Sequence, residues 1–382
     1  MKRIILIYYS QLNIGGAEKS LIRLMNTFVA NGDDVTYLGR YGGGKGEYLL
    51  DEKVRQIYLS KQPLQTGKSI KSISHNLVCL IQRWLTLVTL CLSNRKYDMA
   101  FVGLQGLSPE VVKRYCQPKR IAVFIRNDIS KLKDNSRVLQ KLSVHEKEVD
   151  YYICVADSVR NSLIKELPRV TKKAVVVYNL LNLEDMKRNL QEAPNPFVDE
   201  NDSTFRILTV CRISDVSKGV LRMVRICRRL VDEGYHFRWY IVGDGPDLPE
   251  LRQAIAANHL ENVMKTPGRE NNPFGYYRDC DLVAMLSYYE GLCGVVNEAK
   301  ISGKAIIATV VSGVKEQLEH GINGWVVEND EKHIMDGMRH LLSNKDVVKR
   351  LTNSIYPEAI LNDQTKLEQL YKLIDGNVPK HL

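Results

Sequence analysis

Two glutamates flank a glycine-bearing turn in the segment Glu290-Gly-Leu-Cys-Gly-Val-Val-Asn-Glu298. Apolar residues 282–286 predict a strand before this segment, and a helix is predicted to begin near Val295. Glu290 would then lie in the turn, where its carboxylate could bind a sugar hydroxyl. Glu298 would lie about one turn into the helix, where it could hold a vicinal diol such as a ribose. The alternative for both residues is an ordinary solvated glutamate.

The turn between the two glutamates brings backbone amides to a helix start. The first amides of a helix have no partner within it, and their partial positive charge attracts anions. We therefore predict that phosphate binds at the residues after Glu290, which are Gly291, Leu292, Cys293 and Gly294.

Two cations lie in the loop that follows another predicted strand, at residues 206–210. Arg212 and Lys218 both precede the next predicted helix, which begins at Val220. Such a pair of cations could hold a diphosphate and offset the charge that it gains on leaving a substrate. An exposed basic loop without a ligand is the alternative.

Glycines mark two further connections from strand to helix. Gly15 and Gly16 lie where the first predicted strand turns into the first helix, so that the backbone could approach a ligand closely. A simple tight turn is the alternative, because the complete G-x-G-x-x-G spacing is absent. The segment Gly243-Asp-Gly-Pro246 is interpreted as a tight connection without a ligand.

Metal binding is weighed at one carboxylate pair and at the cysteines. Asp279-Cys-Asp281 has the D-x-D pattern of a metal site, but it directly precedes a predicted buried strand, which favours capping of that strand. The eight cysteines form no C-x-x-C pair, and no histidine lies at zinc-ligand spacing from a cysteine pair. We predict no metal site and buried, reduced thiols.

The elements that position these residues alternate between strands and helices. In the first half, strands are predicted at residues 4–9, 34–38, 98–102, 121–125, 151–155 and 174–178. After a polar stretch with two prolines, strands are predicted again at residues 206–210, 238–242, 282–286 and 305–309.

This alternation predicts the α/β fold class, with two Rossmann-like domains in tandem. The predicted boundaries are residues 1–190, a linker at 191–204, and a second domain at 205–359. Ligands of such sheets bind at the carboxyl ends of the strands, and we expect them in the cleft between the domains.

The chain of 382 residues is 44% hydrophobic and 26% charged, which is typical of a soluble globular protein. The apolar run at the N-terminus is too short for a signal peptide, and no segment is predicted to span a membrane. We therefore expect a cytoplasmic protein.

The net charge of +10 is concentrated in residues 1–190, which carry +14. This excess favours an anionic partner, such as nucleic acid, an acidic lipid surface or a phosphorylated acceptor. Nucleic acid is not expected, because no recognition module is visible. Residues 76–92 are apolar and amphipathic, and a core helix is favoured there over a helix on a membrane surface.

Taken in order, these motifs resemble those of glycosyltransferase family 4, whose members have the GT-B fold of two Rossmann-like domains facing each other across a cleft. The resemblance spans nearly the whole chain, including residues 304–316 and 321–327 near its end. The other motifs are Gly15-Gly-Ala-Glu18, Arg212 to Gly219, Gly243-Asp-Gly-Pro246, and Glu290 with Glu298. The C-terminal helix, about residues 360–382, is expected to pack back on the first domain, as it does in that fold.

The resemblance implies a retaining sugar transfer that needs no divalent metal or other cofactor. Arg212 and Lys218 match the positions that stabilise the diphosphate leaving group. Glu290 matches the residue that contacts the donor sugar, and Glu298 matches the ribose ligand. No strong protein base is demanded, because the acceptor hydroxyl is thought to lose its proton towards the leaving phosphate.

Two further positions bear on donor binding. Gly15 and Gly16 match the loop that lets the donor approach the first domain. Many relatives carry a histidine after the strand that corresponds to residues 121–125, where this chain has Arg126. Arginine stays charged and cannot shuttle a proton, so we expect Arg126 to bind the donor sugar or its phosphate instead. The stretch from Glu290 to Gly294 differs from the one that is common in the family, and this difference bears on the choice of donor sugar.

The resemblance leads us to expect a hexosyltransferase that moves a sugar from a nucleotide-diphosphate sugar, with uridine diphosphate sugars favoured, to a saccharide acceptor. A lipid-linked acceptor in surface polysaccharide assembly, such as O-antigen or capsule, would suit the basic first domain and peripheral contact with an anionic membrane. A catalytically inactive subunit that binds a nucleotide sugar for another transferase is the alternative outside the enzymes. An epimerase lacks its acid and base here, and a nicotinamide-dependent oxidoreductase lacks the acidic residue after the second strand, which Gly39 and Arg40 follow.

Overall fold

The computed structural model describes residues 1–8, 11–13, 15–66, 69–104, 106–132, 135–198 and 204–377. The chain forms two compact units. The first unit contains Met1–Leu180 together with Asp363–Leu382, and the second contains Leu181–Asn362.

The boundary between the units lies earlier in the chain than the predicted linker at 191–204. The helix Leu183–Glu192 belongs to the second unit, and the ring of Phe197 packs 4.8 Å from the ring of Tyr240, centroid to centroid. The first part of the predicted linker is therefore packed on the second unit, because Phe197 anchors an otherwise polar stretch. Residues 199–203 lie outside the described residues.

The first unit is built on a seven-stranded parallel sheet. Its strands are β1 (Arg3–Tyr8), β2 (Asp34–Gly39), β3 (Arg55–Tyr58), β4 (Tyr97–Gly103), β5 (Pro118–Ile125), β6 (Tyr151–Cys154) and β7 (Ala174–Val176). They lie side by side in the order β3-β2-β1-β4-β5-β6-β7. Six of these strands were predicted from the sequence to within three residues at each end, although Tyr9 of the first predicted strand lies outside the described residues.

The second unit is built on a six-stranded parallel sheet. Its strands are β8 (Arg206–Val210), β9 (Arg238–Val242), β10 (Met264–Gly268), β11 (Leu282–Met285), β12 (Ala305–Thr309) and β13 (Trp325–Val327). Their order is β10-β9-β8-β11-β12-β13, which reverses direction between β8 and β11. Each unit thus has the doubly wound, Rossmann-like topology that the alternation of strands and helices predicted.

Helices cover both sheets. In chain order they are α1 (Gly16–Ala30), α2 (Ile70–Leu92), α3 (Pro109–Cys116), α4 (Asn135–Val144), α5 (Asp157–Glu166), α6 (Leu183–Glu192), α7 (Asp215–Lys218), α8 (Val220–Asp232), α9 (Leu248–Ala257), α10 (Phe274–Asp279), α11 (Gly294–Ile301), α12 (Val314–Gln317), α13 (Glu331–Ser343), α14 (Lys345–Leu351), α15 (Glu358–Leu361) and α16 (Asp363–Asp375). The C-terminal helix α16 lies in the first unit, where the ring of its Tyr371 meets Phe28 of α1 edge-on.

Apolar runs form the central strands, because a parallel sheet with helices on both faces buries every residue of such a strand. All five residues of β12 are buried, and so are the four from Ile4 to Ile7 in β1. The strands that the sequence analysis missed, β3, β10 and β13, are edge strands. They are short and partly exposed; β3 and β10 contain polar residues, and β13 has only three residues, so none has an apolar run long enough to predict a strand.

The prediction of a core helix at residues 76–92 is wrong. Helix α2 starts earlier, at Ile70, and only Ser72, Cys79 and Leu90 of its 23 residues are buried. Its large apolar side chains are exposed instead, among them Leu77 and Trp84, each with 58% of its surface accessible. Apolar periodicity identified the helix and its apolar face, but it could not tell which face the protein covers.

The eight cysteines are free thiols, and all except Cys91 and Cys211 are buried. The predicted burial is confirmed for six of the eight. Burial raises the pKa of Cys154 in the first unit and of Cys280 in the second to about 12. Such thiols stay protonated near neutral pH and act as small apolar side chains.

Candidate functional site

The candidate site in the second unit lies where the order of its sheet reverses. Strands β8 and β11 are neighbours there, with Leu282 paired to Ile207 in parallel register. In open α/β sheets, ligands bind outside the carboxyl ends of the strands at such a switch point. The loop after β8 carries Arg212 and Lys218, and the turn after β11 carries Glu290. Two motifs far apart in sequence therefore meet at one edge of the sheet.

Lys218 and Glu290 form an ion pair at this edge. The Lys218 Nζ donates to Glu290 Oε1, and the Ser287 hydroxyl donates to the same oxygen at 2.6 Å. The two charged side chains are 21% and 14% exposed. Because the amide of Tyr288 donates to the Ser217 carbonyl at 2.8 Å, the β8 loop and the β11 turn are also joined through their backbones.

Lys218 is held as a cation. Burial by itself lowers the pKa of this amine, but the facing Glu290 carboxylate outweighs burial, and the pKa lies above its ordinary value. Lys218 therefore stays protonated at neutral pH. It can offset the charge of an anion, but it cannot serve as a general base.

Arg212 is the second cation of the loop. It is exposed, two residues after the end of β8. Within the described parts of the chain, no side chain or carbonyl forms a hydrogen bond or ion pair with it. Its guanidinium group can therefore meet an anion at the carboxyl end of β8 without first breaking an internal bond.

The turn that leads into α11 presents fewer amides than the sequence predicted. The Cys293 amide donates to Gln317 Oε1 at 3.2 Å, and Gln317 Nε2 donates back to the Cys293 carbonyl at 2.9 Å. Gly291 and the side chains of Leu292 and Cys293 are buried, whereas Gly294 is exposed. The Cys293 amide is thus taken up by Gln317, and the exposed start of α11 at Gly294 is what can receive an anion.

Glu298 is oriented by a tyrosine that the sequence analysis did not single out for this role. Tyr277 is fully buried, and its hydroxyl donates to Glu298 Oε2 at 2.8 Å. Burial, followed by the nearby Glu298 carboxylate, raises the pKa of Tyr277 far above its ordinary value, so the hydroxyl remains a donor. Among the described residues, no donor reaches the other oxygen, Oε1, which can accept from a ligand diol.

A buried arginine builds the turn before Glu290. Arg222 of α8 is 1% exposed; its Nε donates to the Leu286 carbonyl at 3.1 Å and its Nη1 to Asn329 Oδ1 at 2.8 Å. Its guanidinium carbon lies 4.1 Å from the centre of the Tyr288 ring. Asn329 Nδ2 in turn donates to the carbonyls of Ser287 and Tyr288. Arg222 and Asn329 therefore fix the backbone from which Glu290 projects.

The Gly243-Asp-Gly-Pro246 segment shapes the neighbouring loop. Gly243 has a φ of +151°, and a Cβ atom at this position would overlap the carbonyl oxygen of Cys211. The Ile213 amide donates to the Asp244 carbonyl at 3.0 Å. The segment is the tight connection that was predicted, and its close packing also sets the path of the loop that carries Arg212.

In the first unit, a polar cluster surrounds the start of α1. Gly15 is the N-cap of this helix and Gly16 its first residue, and both are exposed. The Tyr8 hydroxyl donates to Glu18 Oε1 at 3.0 Å. A side chain on Gly15 would overlap the Glu18 carboxylate, whereas a Cβ atom on Gly16 would meet open space. Because the Glu18 side chain can move aside, crowding within the unit does not by itself require glycine at position 15 or at position 16.

Arg126 belongs to the same cluster. Its Nη1 donates to Ser20 Oγ at 3.0 Å and to Asn179 Oδ1 at 3.2 Å, and its guanidinium carbon lies 4.7 Å from the centre of the Phe124 ring. Burial lowers the pKa of Arg126 to about 10, although Tyr8 and Glu18 oppose the shift. Arg126 therefore stays charged at neutral pH and is fixed in place at the end of β5.

The D-x-D carboxylates point to separate partners. Asp281 Oδ2 accepts from the Arg206 amide at 2.7 Å, and Asp279 Oδ2 pairs with Arg278 Nη2 at 2.7 Å. The strand-capping interpretation is confirmed for Asp281, which joins the starts of β8 and β11. In the part of the chain that the structure describes, no group of three histidine, cysteine, aspartate or glutamate side chains is arranged to hold a metal ion.

Comparison with known proteins assigns one segment to a family and identifies the fold of the chain. Residues 204–344 match the family described as Glycosyl transferases group 1. The whole fold is similar to that of Anabaena HepE solved with UDP and glucose, with a TM-score of 0.75 and 16% identity over 98% of this chain and 100% of that one. The chain has the GT-B fold.

Two curated relatives match this chain over part of their length. The N-acetylgalactosamine-N,N'-diacetylbacillosaminyl-diphospho-undecaprenol 4-alpha-N-acetylgalactosaminyltransferase of Campylobacter jejuni is 27% identical over 54% of this chain and 54% of its own length. The amylovoran biosynthesis glycosyltransferase AmsK of Erwinia amylovora is 26% identical over 55% of this chain and 51% of its own length. The chain thus matches about half the length of these two relatives.

The site residues that the sequence analysis missed lie far along the chain from the glutamates that they support. Tyr277, Arg222 and Asn329 lie 21, 68 and 39 positions from the glutamate that each one supports, and no motif in the sequence links them to it. These polar side chains become informative only when the fold brings them to the switch point. Glu18 was visible in the Gly15-Gly-Ala-Glu18 motif, but its partner Tyr8 was not.

We expect Gly313→Ala to disturb the turn that leads into α11. Gly313 has a φ of +79°, and a Cβ atom there would overlap the Gly291 carbonyl oxygen. The strained backbone alone costs about 1–3 kcal/mol, and the overlap must also shift the turn. Gly321→Ala is the matched control, because Gly321 has a φ of +76° but a Cβ atom there meets nothing within 4 Å.

Thermal denaturation of both variants with and without a nucleotide ligand separates the two effects. Both are expected to lower the melting temperature, but only Gly313→Ala should also weaken the ligand's stabilising effect. Equal ligand stabilisation in the two variants would show that the turn at Gly291 plays no part in binding.

Proposed function

We propose that the protein transfers a hexose from a uridine diphosphate sugar to a lipid-linked saccharide, with retention of the anomeric configuration and without a divalent metal. The observation that carries the proposal is that Glu290 and Glu298, at the two ends of the segment after β11, are each held by a partner, Lys218 and Tyr277 respectively. One pair supplies a fixed cation, and the other presents an oriented carboxylate.

The donor nucleotide is proposed to bind the second unit through its ribose and its diphosphate. Glu298 Oε1 accepts from a ribose hydroxyl while Tyr277 holds Oε2. The diphosphate meets Arg212, Lys218 and the exposed start of α11 at Gly294. These protein cations replace the divalent ion that would otherwise offset the charge on the phosphates.

Lys218 is proposed to stabilise the leaving group. As the bond from the sugar to the diphosphate breaks, negative charge grows on the phosphate oxygen, and a cation already fixed nearby lowers the energy of that state. Glu290 keeps Lys218 protonated and in position, and its carboxylate also accepts from a donor sugar hydroxyl.

The acceptor hydroxyl is proposed to attack on the face that the diphosphate leaves, passing its proton to that phosphate. Retention follows when attack and departure occur on the same face. Lys218 is held protonated and cannot take the proton, which supports a route through the leaving group. Arg126 in the first unit would bind the donor sugar or its phosphate as a cation.

Relatives and charge support the choice of donor and acceptor. HepE was solved with UDP and glucose, and the Campylobacter jejuni relative is named for an acceptor on diphospho-undecaprenol. The Erwinia amylovora relative is named for amylovoran biosynthesis, which fits assembly of a surface polysaccharide. The charge of +14 in residues 1–190 suits an acceptor that carries phosphate and lies at the cytoplasmic face of a membrane.

A transfer assay tests the proposal. The protein is incubated in EDTA with radiolabelled uridine diphosphate hexoses and a polyprenyl diphosphate-linked saccharide, and the linkage of the product is read by NMR. We expect an α-linked product from an α-linked donor and no loss of rate in EDTA. An inverted product, or a rate that depends on added Mg²⁺, would contradict the mechanism. Donor binding without transfer to any acceptor would favour a nucleotide-sugar-binding subunit.

A further inference from the structure

Helix α2 of the first unit exposes its apolar face, whereas a core helix buries that face. Nine of its large apolar residues are exposed, including Ile73, Leu77, Ile81, Trp84 and Leu85. Most of them recur at intervals of three or four positions, so they lie on one face of a helix about 34 Å long. Of the helices in the described residues, α2 is the one long and apolar enough to cross a membrane by composition.

The opposite face of α2 is polar and bound to the protein. His75 Nε2 lies 2.9 Å from the Pro63 carbonyl oxygen. Asn76 accepts from the Gln65 amide at 2.8 Å and donates to the Gln65 carbonyl at 3.1 Å.

The same pattern continues nearly two turns beyond Asn76, where Gln82 Oε1 accepts from the Lys61 amide at 3.1 Å. Cys79, between these contacts, is buried and donates to the Gln62 carbonyl at 3.5 Å. These bonds fix the rotation of the helix, so the apolar face is held outward rather than exposed by chance.

The sequence around this apolar face carries positive charge without any negative charge. Between Glu52 and Asp98 the chain contains no aspartate or glutamate but eight lysines and arginines. Trp84, 58% exposed, lies in the middle of the apolar face. An apolar face with a tryptophan and basic flanks has the composition of helices that lie in the interface of an anionic bilayer.

We propose that α2 seats the first unit on an anionic lipid bilayer, lying in the plane of the membrane with its apolar face in the boundary between headgroups and acyl chains. Spanning is disfavoured, because the helix would have to break the bonds of His75, Asn76 and Gln82 to enter the hydrocarbon. A second copy is a poor occupant, because a twofold interface would place this basic segment against itself. This docking adds a membrane partner to the proposed function. It rests on that function, because the lipid-linked acceptor is part of it.

Vesicle co-sedimentation of the full chain tests the docking. We expect binding to vesicles of phosphatidylcholine with phosphatidylglycerol, and weaker binding to pure phosphatidylcholine. Leu77→Glu, Ile81→Glu and Trp84→Glu, combined in one variant, should lower the partition coefficient by at least about a hundredfold, since each buried apolar side chain contributes a tenfold change or more. Val144→Glu is the matched control, because Val144 is 65% exposed in the same unit but lies outside α2.

Trp84 provides a second readout that needs no destabilising change. Spin-labelled lipids should quench the fluorescence of the unaltered protein, and Trp84→Phe should remove that quenching while leaving sedimentation with vesicles largely intact. Quenching that survives in Trp84→Phe would contradict the orientation of α2.

The remaining outcomes are decisive as well. If the unaltered protein does not bind anionic vesicles, or if the triple variant binds as well as Val144→Glu, the docking proposal is wrong. Self-association that the triple variant abolishes, without vesicle binding, would assign the face to a second copy. Stabilisation of each variant by uridine diphosphate is measured alongside, so that a failed docking proposal is distinguished from a failed donor site.

Discussion

Lys218→Ala is expected to lower the rate of sugar transfer about a hundred- to a thousandfold while the protein remains folded. This is the range seen when one preorganised group that stabilises a developing negative charge is removed. Lys218 is positioned for that role by Glu290 and lies at the carboxyl end of β8, beside the proposed diphosphate. The effect should fall mainly on kcat, because the charge that Lys218 offsets grows as the bond to the sugar breaks.

Two further variants make the Lys218 test specific. Lys218→Arg keeps the charge and should recover part of the rate, whereas Lys349→Ala, at an exposed position of α14, should leave the rate unchanged. Single-turnover rates with saturating donor provide the measurement. A Lys218→Ala enzyme within a few-fold of the unaltered rate would remove leaving-group stabilisation by this residue from the mechanism.

Arg222→Met should be the most destabilising of the single changes considered, at a cost of about 3 kcal/mol. The variant leaves the Leu286 carbonyl and Asn329 Oδ1 in the interior without their donor. For a unit of this size the change corresponds to a fall in melting temperature of roughly 10 °C. Transfer should also slow below the melting temperature, because Arg222 holds the backbone from which Glu290 projects.

The matched control for Arg222 lies one turn along the same helix. Arg225 pairs with Glu331 at the surface, where its side chain is 54% exposed. Arg225→Met should change the free energy of unfolding by less than about 1 kcal/mol. Equal losses of stability in the two variants, measured by urea denaturation, would contradict the role assigned to the buried contacts of Arg222.

Much of the fold could be predicted because its central strands are buried on both faces. Strands such as β1, β8 and β12 have continuous apolar runs that specify a parallel sheet without any knowledge of their neighbours. Edge strands such as β10 and β13 are defined by the hydrogen bonds they make to a partner strand, and those bonds leave little trace in a short, mixed sequence. The unit boundary was misplaced for a similar reason, since the packing of Phe197 on Tyr240 is a tertiary contact.

The candidate site likewise contains residues that the sequence could reveal and contacts that it could not. Arg212, Lys218, Glu290 and Glu298 could be selected because motifs and the strand-to-helix pattern place them at the carboxyl ends of strands. The sequence could not show that Lys218 and Glu290 pair with each other, or that Gln317 takes up the Cys293 amide. Residues that hold others in place are set by the three-dimensional packing, so local patterns do not reveal them.

The error at α2 has a physical cause of its own. A stripe of apolar side chains is the usual mark of a face turned to the core, and the sequence interpretation followed that rule. In this chain the polar stripe is satisfied by the backbone around Pro63 and Gln65, so the polar face lies inward. The signal that could have corrected the prediction is the absence of any acidic residue between Glu52 and Asp98.

The most direct test of the central claim is a thermal-shift titration of the purified protein with nucleotide diphosphates and their sugars in EDTA. Glu298→Ala is measured alongside, with Glu250→Ala, an exposed carboxylate of α9, as the control. We expect uridine diphosphate sugars to stabilise the unaltered protein and Glu250→Ala, with at least a tenfold loss of affinity in Glu298→Ala, about the 1.4 kcal/mol of one hydrogen bond to a charged group. If no nucleotide stabilises the protein, or if Glu298→Ala binds as tightly as the control, the carboxyl edge of β8 and β11 is not the donor site.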